Sequence, residues 1–181
     1  MYISVELFFD PQTEATIREM WLKISNNSVS SFMTDIKSTP HISLAVYDCI
    51  DLTHLRIRLS EFAISHNLLS LRLSAIGLFP GKEDVLFLAP AVTEGLLAMH
   101  RKYHQMTADC SHLVWPYYRP NGVWFPHCTL AMKLNKEDIL QAISLIADGF
   151  KGIEGKISSV AAVEYSPSNV LFEFPLGIKK L

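Results

Sequence analysis

One short pattern occurs twice in this chain: Pro40-His41-Ile42-Ser43-Leu44-Ala45 and Pro126-His127-Cys128-Thr129-Leu130-Ala131 both read Pro-His-x-[Ser/Thr]-Leu-Ala. The chain has 7 histidines, so a match over six positions around two of them, 86 residues apart, marks an internal repeat rather than coincidence. A repeat constrains the fold, because two similar halves must each supply a comparable strand with a comparable face. A second echo has nearly the same offset: Val85-Leu86-Phe87-Leu88-Ala89-Pro90 resembles Val170-Leu171-Phe172-Glu173-Phe174-Pro175.

Between these landmarks the sequence alternates strand and helix patterns. Tyr2 to Phe9 is rich in β-branched and aromatic residues and stops at Asp10-Pro11. Glu14 to Ser25 then carries Ile17, Met20, Trp21 and Ile24 at helical spacing. Asn26 to Thr39 reads as a polar linker before the first motif strand. A helix over Leu52 to Ser65, entered through Asp51, leads to a strand at Leu69 to Phe79 and a turn at Pro80-Gly81. The second half predicts a strand at Val85 to Ala89, a helix from Thr93 to Ala108, an aromatic loop and the second motif strand. A helix from Lys136 to Asp148, capped by Asn135, follows it. Strands at Lys156 to Tyr165 and Val170 to Phe174, joined by the turn-like Ser166-Pro167-Ser168-Asn169, come last.

The expected class is α+β. Two duplicated antiparallel sheets form a bilobal, pseudo-two-fold arrangement, with helices on the outer faces and a cleft between them. A single bilobal domain over residues 1–181 is expected, with the motifs at 41–44 and 127–130. A length of 181 residues with 49% hydrophobic content suffices for a full core. A formal charge of −2, without runs of like charge, argues against tight hold on long duplex nucleic acid. Cys49, Cys110 and Cys128 form no CxxC pair, and the opening strand has neither the charge order of a signal peptide nor the length of a membrane anchor. A cytoplasmic monomer is expected.

The motifs carry the chemistry. In a strand, residues i and i+2 share a face, so His41 and Ser43 project together, as do His127 and Thr129, while Ile42, Leu44, Cys128 and Leu130 point the other way. If the halves face one cleft, a tetrahedral phosphate there meets an imidazole on each side. Displacement at phosphorus needs a base on the entering oxygen and an acid on the leaving one, and imidazole serves both roles near neutrality. The Ser43 and Thr129 hydroxyls can donate to the non-bridging oxygens. No metal or other cofactor is required by this scheme.

Other features have weaker claims. The run from His112 to Phe125 leads into the second motif; its aromatics, Tyr118 and Trp124 among them, suit base stacking, and Arg119 suits a phosphate. The same loop can instead cover an apolar edge. Lys37 and Lys133, flanking the two motifs, are candidate phosphate contacts, although solvated charges at strand ends fit them better. His100 and His104 have the i, i+4 spacing of a metal pair, but without a third ligand they read as a solvated helix flank. Cys128 reads as a core thiol, and Met20, Trp21, Met99 and Tyr103 as core stripes.

With its doubled His-x-[Ser/Thr]-Leu motif the chain resembles the 2H phosphoesterase superfamily. The stretch Trp124-Phe125-Pro126-His127-Cys128-Thr129-Leu130-Ala131 is similar to its 2′-5′ RNA ligase-like, or LigT-like, cyclic phosphodiesterase branch. The likeness spans nearly the whole chain. It implies metal-independent action on 2′,3′-cyclic phosphates or 2′-5′ phosphodiester links, with His41 and His127 catalytic and Ser43 and Thr129 binding phosphate. Ser43 stands where many relatives have Thr and keeps the hydroxyl. Expected substrates are an RNA end, a short oligonucleotide or a small cyclic nucleotide. Ligation, the same displacement reversed, and a nucleotide-binding module without turnover are the alternatives. The near symmetry of the motifs leaves open which histidine is acid and which is base.

Overall fold

The computed structural model describes residues 2–48, 50–81, 84–110, 113–120, 123–165 and 167–177. Cys49, His112, Asn121, Gly122 and Ser166 therefore lie outside the described residues. In chain order the elements are β1 (Ile3–Phe9), α1 (Pro11–Asn26), α2 (Phe32–Asp35), β2 (His41–Tyr47), α3 (Leu52–Ser65), β3 (Leu69–Phe79) and β4 (Asp84–Pro90). They continue with α4 (Glu94–Met106), a 3-10 turn at Pro116–Tyr118, β5 (Cys128–Leu134), α5 (Lys136–Ala147), β6 (Ile153–Glu164) and β7 (Asn169–Pro175).

Helix entry follows side-chain capping. Asp10, Asp51, Thr93 and Asn135 each accept from backbone N–H groups of the first turn, and Asn135 with Asp138 closes a capping box. The first helix starts three residues earlier than its apolar spacing predicts, because Pro11 fits the first helical position and Thr13 is buried. The supposed linker from Asn26 to Thr39 is not wholly irregular. It holds the single turn of α2, pinned by buried Met33.

The strands pair antiparallel in the order β2-β1-β6-β3-β4-β5, with β7 also on β6. The long β6 is shared: Ile153 to Ile157 pair with β3, whereas Ser159 to Glu164 pair with β7, and β1 runs along its second half. Two wings thus hang from one strand, β2-β1-β6-β7 on one side and β6-β3-β4-β5 on the other. The end strands β2 and β5 come back into contact with each other, which sets the two motifs face to face. One face of β1 (Ile3, Val5, Leu7, Phe9) joins the main core with Ile17, Trp21 and Ile24 of α1 and Leu55, Leu59 and Phe62 of α3. Its other face carries Ser4, Glu6 and Phe8, the last packed on Ala161 and Val163.

The repeat is legible in the pairing. Val5↔Ala45 is followed by Glu6↔Ser43, skipping Leu44; Leu86↔Ala131 is followed by Phe87↔Thr129, skipping Leu130. The same bulge sits at the same motif position in both wings, and β1 stands to β2 as β4 stands to β5. The echo between Val85 and Val170 has a different meaning from the one expected. It marks the second strand of two hairpins, β3-β4 and β6-β7, but β4 lies inside its wing while β7 pairs only with β6 among the described strands.

Asp10 joins the first helix to the shared strand. Its carboxylate accepts from the Thr13 hydroxyl at 2.7 Å and from the Lys156 N–H at 2.7 Å, and its own N–H donates to the Lys156 carbonyl at 2.8 Å. Burial acts to raise its pKa, but the hydrogen bonds from Thr13, Lys156 and Gln12 outweigh it and hold the carboxyl below its ordinary value. A depressed folded pKa gives stability that is present above the unfolded value and lost as pH falls through the folded one. Asp10→Ala is therefore expected to lower the unfolding free energy by about 1–2 kcal/mol at pH 7. The difference should shrink below about pH 4, as read by urea denaturation of both proteins at pH 7 and pH 3.

Candidate active site

Both motif histidines are held in the same way. His41 Nδ1 lies 2.6 Å from the Thr39 carbonyl and His127 Nδ1 lies 2.8 Å from the Phe125 carbonyl, two residues back in each case. A carbonyl only accepts, so each Nδ1 carries the proton and each Nε2 is left with its lone pair or a second proton. Strand alternation works as expected. Ile42, Leu44, Cys128 and Leu130 are buried in the core, while His41, Ser43, His127 and Thr129 remain partly open on the other face. The two imidazoles are near enough that charge on His41 disfavours charge on His127.

Their surroundings differ. Glu6, buried on the same face of β1, places Oε2 3.3 Å from His41 Nδ1. Around His127 there are rings instead: Phe79 at 4.9 Å and Phe87 at 5.3 Å between centroids. Phe125 lies edge-on to both phenyl groups. Burial lowers the His127 pKa, and the nearby His41 lowers it further against the raising effect of the Phe125 carbonyl. The phenyl of Phe87 occupies the space over Gly77, where a Cβ would collide with it.

The Tyr118 phenol lies beside the Ser43 side chain, and burial holds it well above its ordinary pKa, so it stays neutral. Tyr118 is thereby joined to the site, buried rather than displayed. Trp124 is an anchor. Its indole N–H donates to the Ser43 carbonyl at 3.1 Å, and its ring stacks on His100 at 3.8 Å. Trp21 mirrors this from α1, donating to the Thr129 carbonyl at 3.0 Å. Trp115 is stacked between Tyr2 and Tyr117 and stays exposed. Arg119 is exposed past the 3-10 turn and Lys37 is exposed before the first motif. Lys133 lies over the Phe32 ring at 4.9 Å.

The pair His100 and His104 is not a solvated flank. His100 is 1% exposed, and the two Nε2 atoms are 3.1 Å apart beside the Leu44 carbonyl, 3.2 Å from His104. Burial, with the nearby His104, pulls His100 down to about 3, so it packs as a neutral ring. Cys128 is a core thiol pushed up to about 12 by burial, as its strand position implies. Elsewhere His54, Asp109 and Cys110 bring three donor atoms within 4.8 Å of one another. Arg58 already holds the Asp109 carboxylate at 2.8 Å, so this group reads as an ion pair.

The sequence pattern alone does not single out Glu6, Phe79, Phe87 or Gly77. Glu6 carried a signal, a carboxylate at an alternating position inside an otherwise apolar strand run. The phenylalanines and the glycine carried none, because their roles exist only once β3 and β4 lie behind β5.

Comparison with known proteins agrees with this architecture. Among solved structures, TT0787 of Thermus thermophilus matches with a TM-score of 0.62 at 17% identity, over 98% of this chain and 98% of that one. E. coli LigT, solved with 3′-AMP, matches at 0.59 and 13% identity over 96% and 97%. Kluyveromyces marxianus Usb1 with uridine monophosphate matches at 0.52 and 13% over 97% and 98%. At such identities the likeness is one of fold. No curated protein matches the chain. A family model of the 2′-5′ RNA ligase superfamily, however, matches residues 9–169, a span that holds both histidine motifs, and by that match the chain belongs to the 2′-5′ RNA ligase superfamily.

Proposed function

We propose that this protein is a metal-independent phosphodiesterase that opens 2′,3′-cyclic phosphates, or cleaves 2′-5′ links, at RNA ends or in small nucleotides. The observation that carries the reading is the paired imidazoles, each with Nδ1 committed to its own backbone and Nε2 left for proton transfer. With a phosphate between them, one Nε2 takes a proton from water as its oxygen bonds to phosphorus. The other delivers a proton to the ribose oxygen as its bond to phosphorus breaks, so one water is added and no charge is stranded. The Ser43 and Thr129 hydroxyls hold the non-bridging oxygens. Phe125, 53% exposed beside His127, offers a face for the base. The mononucleotides held by the solved LigT and Usb1 structures support a ligand of this size.

This accounts for both protons and for the phosphate charge with side chains alone. Turnover of 2′,3′-cyclic nucleotides is therefore expected to be unaffected by excess EDTA; loss of activity with chelator, restored by a divalent ion, would contradict the proposal. His41→Ala and His127→Ala should each lower kcat by about 10² to 10⁴-fold while keeping the circular dichroism of the folded protein; His41→Ala should also lower the unfolding midpoint, because it leaves the buried Glu6 without its partner. Full activity in either variant would sink the mechanism. Failure of the wild-type protein to turn over any cyclic nucleotide or 2′-5′ dinucleotide, with binding retained, would instead favour a nucleotide-binding module.

A further inference from the structure

The two wings superimpose their motifs but not the residues behind them. Glu6 faces Ser43 across the β1-β2 pair as Phe87 faces Thr129 across the β4-β5 pair, each directly after the bulge. At one structural position, then, the first wing has a carboxylate and the second a phenyl ring. Both are buried, Glu6 at 5% and Phe87 at 3% exposure. Both lie against the histidine of their own wing.

A carboxylate at that depth is costly unless paired. Burial raises the Glu6 pKa, and attraction to a charged His41 with a hydrogen bond from Ser4 offsets this only in part, so the charged carboxylate depends on a cation beside it. Among the described residues, the other titratable groups that face the pair are the Tyr118 phenol, the Cys128 thiol and His127. The first two remain neutral, which leaves His41, 3.3 Å away, as the described group placed to answer a charge on Glu6. His127 faces the rings of Phe79 and Phe87, and its titratable neighbour among the described residues is His41. Among the described residues no carboxylate lies against His127; the group that favours its charged form is the Phe125 carbonyl, and burial with the nearby His41 outweighs it.

We propose that Glu6 is a positioning residue that keeps His41 in its cationic form, so that His41 gives the proton to the leaving oxygen, while His127, backed by Phe87, receives the proton of the attacking water. Glu6 forms and breaks no bond in the step. The water proton goes to His127 Nε2, the His41 Nε2 proton goes to the ribose oxygen, and solvent restores both. The assignment rests on the phosphodiesterase reading above and gives it a direction that the nearly symmetric motifs lack.

The test compares wild type, Glu6→Gln and Glu6→Asp in steady-state hydrolysis of 2′,3′-cyclic CMP from pH 5 to 9. Loss of the carboxylate charge removes support for the cationic acid, and that loss affects the alkaline limb of the bell. Glu6→Gln should lower kcat about tenfold with KM changed less than about twofold, and should move the alkaline limb down by about one pH unit. The acidic limb, set by the base, should stay, and Glu6→Asp should recover part of the shift. An unmoved alkaline limb, or a shift of the acidic limb instead, overturns the proposal. Imidazole ¹⁵N spectra of the wild-type protein decide the matter should Glu6→Gln fail to fold or the wild type prove inactive on cyclic nucleotides. In that titration the His127 ring should lose its proton before the His41 ring, and the reverse order overturns the pairing independently of any activity.

Discussion

Everything at the site depends on one shared strand. The twelve residues of β6 are paired to β1 and β7 at one end and to β3 at the other, so neither wing is complete without it. A sheet twists as strands are added, and six strands in the order β2-β1-β6-β3-β4-β5 bring its two ends round until β2 touches β5. That closure places two copies of one motif on either side of a gap. On the closing strands they face each other.

End strands expose carbonyls that need partners, and here those partners help to hold the motifs in place. The outer edge of β2 is satisfied by the Trp124 indole at the Ser43 carbonyl, by His104 at Leu44 and by the Val114 N–H at Val46, 2.9 Å away. β5 receives the Trp21 indole at Thr129 and the Ser30 hydroxyl at Met132, 3.4 Å away. The ties are crossed: Trp124, from the second half of the chain, holds the first motif, and Trp21, from the first half, holds the second. This explains why His100 is buried. It supplies the flat surface on which Trp124 lies, and the solvent-side role suggested by its i, i+4 partner gives way to packing.

Much of the arrangement was readable from residues because it is local. Alternation separated His41 and Ser43 from Ile42 and Leu44 correctly, since a strand leaves no third direction. Asp51, Thr93 and Asn135 marked helix starts because capping is a contact over two or three residues. What could not be read depends on register between distant strands. Whether Glu6 meets Ser43 or its neighbour is decided by a bulge at Leu44, and a slip of one residue would turn the carboxylate to the opposite face. The same holds for Phe87 and Thr129. The swap of sheet place between β4 and β7 is likewise invisible to a sequence echo, which records ancestry along the chain and not who pairs with whom.

Symmetry and function pull in opposite directions in such a fold. Two identical imidazoles in identical surroundings would titrate together and repel one another when charged, leaving no pH at which one is firmly an acid and the other firmly a base. A duplicated site gains a reaction direction only when the copies diverge behind the histidines while the histidines themselves are kept. Here the motif residues still match almost position for position, and the divergence is confined to what supports them: a buried carboxylate on β1 in one wing, and in the other a phenyl on β4 with room made for it by Gly77 on β3. The shared Nδ1-to-carbonyl bonds fix where each ring points. Under the proposed assignment the unshared neighbours set the polarity, so orientation and polarity would be controlled by separate parts of the structure.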